Sequence, residues 1–362
     1  MAAIWNSARR HLRLGLARAA ARRASAPAAA FVSGSGDGNL GDELMLEATR
    51  RVLQGVTLVP VDHPATERRL GAVGLSGAGV FDGLVLGGGT LVNPHFERLV
   101  SGVFGDGLPA WTLGTGVGSS GFGMSPEVDV APWAELLGGF EGVWVRGPLS
   151  AERLDALGVD GVRVCGDLAL ALTPPRPLPA RDEGALAVNV GASRVRFGGD
   201  GGIEPAAALA AALRPLRDEG RRVIPFAMHR DDAPALDAFR RGLGEPKAEI
   251  LTPASLDSLW SLLEGVDAVV GVRLHAGVMS WAAGVPALMV AYRDKCLDFA
   301  RHLGVEDAVV GPGAGPRDIE AKVRGLLAEG RGRGALVHGE AVGARRAIEA
   351  AAAQIREGVA AR

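Results

Sequence analysis

Residues 29–43 read Ala29-Ala30-Phe31-Val32-Ser33-Gly34-Ser35-Gly36-Asp37-Gly38-Asn39-Leu40-Gly41-Asp42-Glu43: an apolar run, a glycine-rich turn, then the start of a helix predicted over 43–53. This strand-turn-helix unit opens a βαβ fold. Outward from it, short β-rich runs at 56–61, 84–86, 110–113, 143–145 and 162–165 alternate with helical segments at 132–137 and 149–157. A parallel sheet covered by helices on both faces follows.

The rhythm stops near Thr173, where prolines at 174, 175, 177 and 179 can continue neither a helix nor an inner strand. It restarts with strands predicted at 186–190, 223–227, 268–270 and 287–290 and helices at 205–217, 233–241, 256–263, 274–283 and 295–303. The expected organisation is a basic arm (1–27), a first Rossmann-like domain (28–172), a Pro-rich linker (173–182), a second Rossmann-like domain (183–330) and a C-terminal helical segment (331–362). The fold class is α/β, with two doubly wound domains facing a central cleft that is lined by strand ends.

The 362 residues suffice for two cores. Apolar residues at 48% and charged residues at 22% exclude wholesale disorder. Basic and acidic residues number 39 and 41, so no global basic field exists to hold nucleic acid. Two distant cysteines, Cys165 and Cys296, provide neither a disulfide framework nor metal-ligand spacing and suit a cytoplasmic setting. The first 36 residues hold six arginines and no acid. They fit a loosely packed basic helix, a transit peptide, or peripheral contact with an anionic membrane surface.

Gly36, Gly38 and Gly41 spell a dinucleotide fingerprint, with Asp62 following at the end of the next strand. Against it, Asp37, Asp42 and Glu43 would repel a pyrophosphate at the helix start. The turn suits an acceptor rich in hydroxyls, held by Asn39, Asp42 and Glu43, while Asn39 or Asp42 alone would make it a capped helix start. Gly87, Gly88 and Gly89, with Asn93 just beyond, follow the third strand, and Gly114, Gly116 and Gly118 follow the fourth. Both runs are expected to form a binding surface at the cleft, with close packing as the plainer alternative.

The sharpest constellation is Val272-Arg273-Leu274-His275-Ala276 after the strand at 268–270. A guanidinium and an imidazole at a helix start form a seat for phosphate, with Arg273 as the fork and His275 as a proton donor. The alternative pairs Arg273 with an acid and leaves His275 in the core. Further cations at strand ends are Arg146, Arg194, Arg196 and His229.

These segments together resemble the polysaccharide pyruvyl transferases. The resemblance rests on Gly38-Asn39-Leu40-Gly41-Asp42-Glu43, Gly87-Gly88-Gly89, Val145-Arg146-Gly147-Pro148-Leu149-Ser150, Gly166-Asp167 and Gly271-Val272-Arg273-Leu274-His275-Ala276 ahead of Gly284-Val285-Pro286. They occur in the family's order over about residues 31–304. Leu168 stands where the commoner pattern Gly-Asp-Pro-Ala has proline. The resemblance implies a GT-B-like pair of Rossmann domains and transfer of a pyruvyl group from phosphoenolpyruvate to a glycan or lipid-linked oligosaccharide, usually as a ketal. It also implies that Arg273 and His275 serve the donor, together with Arg194 or Arg196.

The residues fit that chemistry on their own terms. Ketal formation needs a proton donor for the methylene carbon, cations for carboxylate and phosphate, and acceptors for hydroxyls. It needs no cofactor and no metal. The competing readings are a GT-B glycosyltransferase using a nucleotide sugar and a non-catalytic glycan-binding protein.

Overall fold

The computed structural model describes residues 26–36, 38–61, 80–104, 107–118, 128–180, 184–191, 205–311 and 313–361. Most of the basic arm, Asp37, Asp62, Arg194 and Arg196 lie outside the described residues.

The first half is built around β1 (Ala28–Val32), whose five residues are all buried. It pairs in parallel with β2 (Thr57–Pro60) and β3 (Gly83–Leu86), and β3 with β5 (Ala110–Thr112), in the order β2-β1-β3-β5. Helix α1 (Leu40–Val52) leaves β1 and turns Leu44, Met45 and Ala48 inward. A second parallel sheet, β4 (Gly89–Val92), β6 (Thr115–Val117), β7 (Val143–Val145) and β8 (Val162–Val164), continues the first in the order β4-β6-β7-β8. The chain passes from β3 into β4 across Gly87-Gly88 and from β5 into β6 across Leu113-Gly114. These are therefore bent strands and not strand ends. Gly89 and Gly114, at φ 104° and 66°, take the left-handed conformation the two bends require. Helices α2 (Pro94–Phe104), α3 (Trp133–Gly138) and α4 (Pro148–Asp155) complete this half.

The second half holds one parallel sheet of β9 (Ala185–Asn189), β10 (Arg222–Pro225), β11 (Ala268–Gly271), β12 (Ala287–Val290) and β13 (Val309–Val310), ordered β10-β9-β11-β12-β13. Its helices are α5 (Pro205–Asp218), α6 (Ala233–Leu243), α7 (Leu256–Glu264), α8 (Leu274–Ala282) and α9 (Lys295–Leu303). Strand order reverses between β1 and β3 in one half and between β9 and β11 in the other. At such switch points the outgoing loops diverge and leave a crevice at the carboxyl ends of the strands. The Gly-rich turn before α1 and the Arg273 segment before α8 both leave those ends.

The Pro-rich segment packs on the end of α8, where the Leu178 amide donates to the Ala283 carbonyl at 2.9 Å. The last helix, α10 (Pro316–Ala360), begins ahead of the expected segment 331–362 and breaks at Gly330, whose φ of 59° is not helical. Its far end returns to the first half, where Gly358 lies against the Trp111 ring and Arg356 donates to the Val52 carbonyl.

Candidate functional site

Arg273 is the residue that caps α8, and its backbone amide donates to Asn189 Oδ1 at the end of β9 (3.1 Å). Its Nε reaches Asp232 Oδ1 at 2.7 Å and Oδ2 at 2.9 Å, and Nη2 reaches Oδ1 at 2.5 Å. Asp232 is fully buried and also accepts the Met228 and His229 amides at 3.0 and 3.1 Å. The acid-pairing alternative thus holds for one edge of the guanidinium. Among the described residues, Nη1 has no hydrogen-bond partner. Burial alone would lower the basicity of Arg273, but the bonds and charge of Asp232 outweigh it and raise the pKa. The fork is permanently charged and held in one orientation.

His275 is 8% exposed on the first turn of α8, and its Nε2 lies 3.5 Å from Asp167 Oδ1. Gly41, on the first turn of α1, packs directly on this ring: a Cβ there would fall inside the imidazole. That contact crosses the cleft and explains the third glycine of the fingerprint. The place where a dinucleotide pyrophosphate would need open backbone is filled by His275. A second bond across the cleft, from the Leu40 amide to the Met228 carbonyl (2.8 Å), fixes the approach.

Asn39 caps α1, its Oδ1 accepting the Gly41 amide at 3.2 Å, while its Nδ2 donates to Asp42 Oδ2 at 2.8 Å. Asp42 is therefore relieved of capping. Burial raises its pKa above the usual carboxylate value, opposed by His275, then Lys295, then Asn39 and Arg273. A carboxylate, an imidazole and two cations thus converge from α1, α8 and α9. Lys295 Nζ sits 5.0 Å from the Tyr292 ring centroid, a cation–π contact at the start of α9. Glu43, by contrast, accepts the Gly36 amide at 2.8 Å and pins its own turn.

Several expected ligand residues have structural partners instead. Arg146 is 2% exposed, pairs through Nε and Nη2 with buried Asp298 of α9 (3.2 Å each), and is overlaid by Gly116. A donor cannot reach it without breaking that pair. Gly87 is packed against the Phe31 ring and Gly88 against Met45 and Leu168, so both admit a neighbouring side chain where a ligand was expected. Gly89 serves the strand bend, and Asn93 Oδ1 takes the His95 amide at 2.9 Å at the start of α2. His229 Nδ1 accepts the Asp231 amide at 3.1 Å and caps the turn Arg230–Asp232.

Asp167, Asn189, Asp232, Tyr292 and Lys295 were not read from the sequence as site residues. The available signals were polar residues closing apolar strands, as at Asn189, and the rarity of lysine, since only Lys247, Lys295 and Lys322 occur. Among the described residues, no group of three or more His, Cys, Asp or Glu could hold a metal ion, and no helix is long and apolar enough to cross a membrane.

The family model for polysaccharide pyruvyl transferase matches residues 39–294, which span the Gly-rich turn, the Arg273-His275 pair and Tyr292. No curated protein matches the chain in sequence. Among solved structures, the chain is similar to the UDP-N-acetylglucosamine 2-epimerase from Rickettsia bellii (TM-score 0.56, 11% identity, covering 92% of this chain and 97% of that one). It is also similar to the UDP-GlcNAc 2-epimerase from Neisseria meningitidis bound to UDP-GlcNAc (0.55, 9%, 93% and 100%). A third likeness is to UGT71G1 of Medicago truncatula complexed with UDP-glucose (0.52, 12%, 92% and 98%). At these identities the likeness shows the fold, which is GT-B-like.

Proposed function

Because the chain belongs to the polysaccharide pyruvyl transferase family, we propose that it moves a pyruvyl group from phosphoenolpyruvate onto two hydroxyls of a glycan and forms a ketal. The observation that carries this reading is the cross-cleft cluster of Arg273, His275 and Asp42, which supplies an anion fork, a proton donor and a hydroxyl acceptor within one space. The Nη1 edge of Arg273 binds the donor's carboxylate or phosphate. His275 protonates the methylene carbon while a sugar hydroxyl adds to the central carbon and passes its proton to Asp42. The carbon–phosphate ester bond then breaks, phosphate leaves, and the second hydroxyl closes the ketal with loss of its own proton. The fixed cation beside the leaving group stabilises charge as it develops there.

The test is to incubate the protein with phosphoenolpyruvate and candidate oligosaccharides and to follow phosphate and acceptor mass together. Stoichiometric phosphate release and an acceptor heavier by pyruvic acid less water are expected. Nucleoside diphosphate release from a sugar nucleotide would favour the glycosyltransferase reading, which the UDP-sugar ligands of two fold neighbours keep in view.

Replacing Arg273 by Lys should keep the charge and still raise the Michaelis constant for phosphoenolpyruvate about tenfold to a hundredfold. That is the worth of one charge-assisted hydrogen bond, which an ammonium held by Asp232 cannot also give to the donor. Unchanged donor affinity would remove Arg273 from the site.

Asp42→Asn should trade activity for stability. The raised pKa means the folded protein binds this proton more tightly than the unfolded chain, so at neutral pH the ionised carboxylate works against folding. The variant should melt higher than the wild type at pH 7. The difference should fade as pH falls through the folded pKa and vanish below about 3.9, the unfolded value, where Asp42 is neutral in both states. Turnover with glycan should drop in the same protein. A lower melting temperature at pH 7 would show that Asp42 is held by favourable contacts and is not a poised acceptor.

A further inference from the structure

We propose that Asp167 is the positioning residue for His275: it takes the Nε2 proton of the imidazole, fixes the ring over Gly41, and leaves Nδ1 as the atom that delivers a proton into the cleft. This rests on the reading of His275 as proton donor.

Three observations carry it. Nε2 is buried and has no hydrogen-bond partner at ordinary length, and the nearest acceptor is Asp167 Oδ1 at 3.5 Å. A buried ring N–H without an acceptor is costly, so the pair closes when the imidazole carries a proton there. Second, Asp167 is 1% exposed and is itself held, because its Oδ1 accepts the Ala169 amide at 3.0 Å and caps the 3-10 turn Leu168–Leu172. That turn packs against both α1 and α8, so one rigid piece sets the carboxylate between the two halves of the site. Third, the other ring nitrogen, Nδ1, lies against Gly41 on the first turn of α1, between Asn39 and Asp42 in sequence. A histidine with one nitrogen on a buried carboxylate and the other toward substrate has its tautomer and orientation fixed by the carboxylate.

The charged groups around the pair are distributed in a way that favours this role. Asp167 faces His275 from α8, Arg146 from the end of β7, His302 from α9 and Cys165 just past β8, and Asp42 of α1 faces His275. Burial alone would raise the pKa of Asp167, but His275, Arg146 and the Ala169 amide outweigh it, so the carboxylate stays ionised. Burial holds His302 below the usual imidazole range, against the pull of Asp298, Asp167 and Glu340. It is neutral at neutral pH and does not compete for the charge.

Two measurements test the proposal. In Asp167→Asn, which keeps the size and the cap, turnover with phosphoenolpyruvate and glycan should fall on the order of 10²-fold with little change in donor Michaelis constant. That split between turnover and donor Michaelis constant is the signature of a ring that has lost its orientation while the donor seat stays intact. Turnover that stays near the wild-type value, or a loss fully accounted for by a smaller fraction of folded enzyme, would overturn the role. Nitrogen-15 chemical shifts of His275 in the wild type give the second reading and need neither a variant nor turnover. The neutral ring should carry its proton on Nε2. A proton on Nδ1 contradicts the pairing with Asp167 and leaves the pyruvyl-transfer reading intact, whereas a wild type that releases no phosphate from phosphoenolpyruvate overturns that reading instead.

Discussion

His275→Ala should fold, bind phosphoenolpyruvate, and turn over about 10²–10⁴ times more slowly than the wild type, the loss associated with a positioned general acid. The size of the effect follows from position. The ring lies between a backbone that has no Cβ at Gly41 and a buried carboxylate at Asp167, at the point where the two halves of the cleft meet. Donor binding should survive because the Arg273 fork is fixed by Asp232 and Asn189 and does not depend on His275. Truncation leaves a void against Gly41, which costs stability on the scale of other core deletions but does not unfold a chain with this much buried surface. Thermal melting and phosphate release measured on one preparation separate the two effects. Near-normal turnover in a folded His275→Ala protein would take the residue out of the chemistry.

Asp298→Ala should cost about 3–5 kcal/mol of stability with no direct effect on any substrate-facing group. Asp298 is 1% exposed and gathers Arg146 Nε at 3.2 Å, the Ser150 amide at 3.1 Å and Ser150 Oγ at 2.6 Å. Removing it leaves a buried guanidinium without its counter-ion. It also unties α4 of the first half from α9 of the second, where Gly147 lets the Asp298 backbone come so close that no side chain fits. A double variant, Arg146→Met with Asp298→Leu, should recover most of the loss, because a buried ion pair replaced by apolar groups of similar volume is often nearly neutral. Denaturant unfolding of the two variants decides the matter. A loss below about 1 kcal/mol in Asp298→Ala would mean that the pair contributes no more than a surface salt bridge.

The alternation of apolar runs and helical segments was legible because the central strands are buried on both faces and read as apolar runs, as in β1 and β11. The predicted helix after the Gly-rich turn starts at Leu40, because Asn39 caps it, and the Arg273-His275 pair stands at a helix start as its position after a strand implies. What one sequence does not show is the partner across space. A glycine after a strand looks the same whether it admits a ligand, as was expected at Gly87 and Gly88, or admits Phe31, Met45 and Leu168. Arg146 was placed at a strand end correctly, yet its partner lies 152 residues further on. Asp42 and Glu43 are neighbours with opposite duties, one facing His275 and the other bonded to Gly36, and only the turn geometry separates them. Strands β4 and β6 lie within glycine-rich runs that read as loops, and β13 has only two residues for periodicity to act on.

The central claim is that phosphoenolpyruvate is the donor and that its methylene carbon is protonated from the protein as the glycan oxygen adds. The reaction run in heavy water tests this most directly, with the pyruvylated acceptor examined by mass spectrometry and proton NMR. The account predicts a ketal methyl group carrying one deuterium, released phosphate in equal amount, and both products formed about 10²–10⁴ times more slowly in His275→Ala. Phosphate release with the methylene group retained in the product, or transfer of a sugar with release of a nucleoside diphosphate, would contradict it.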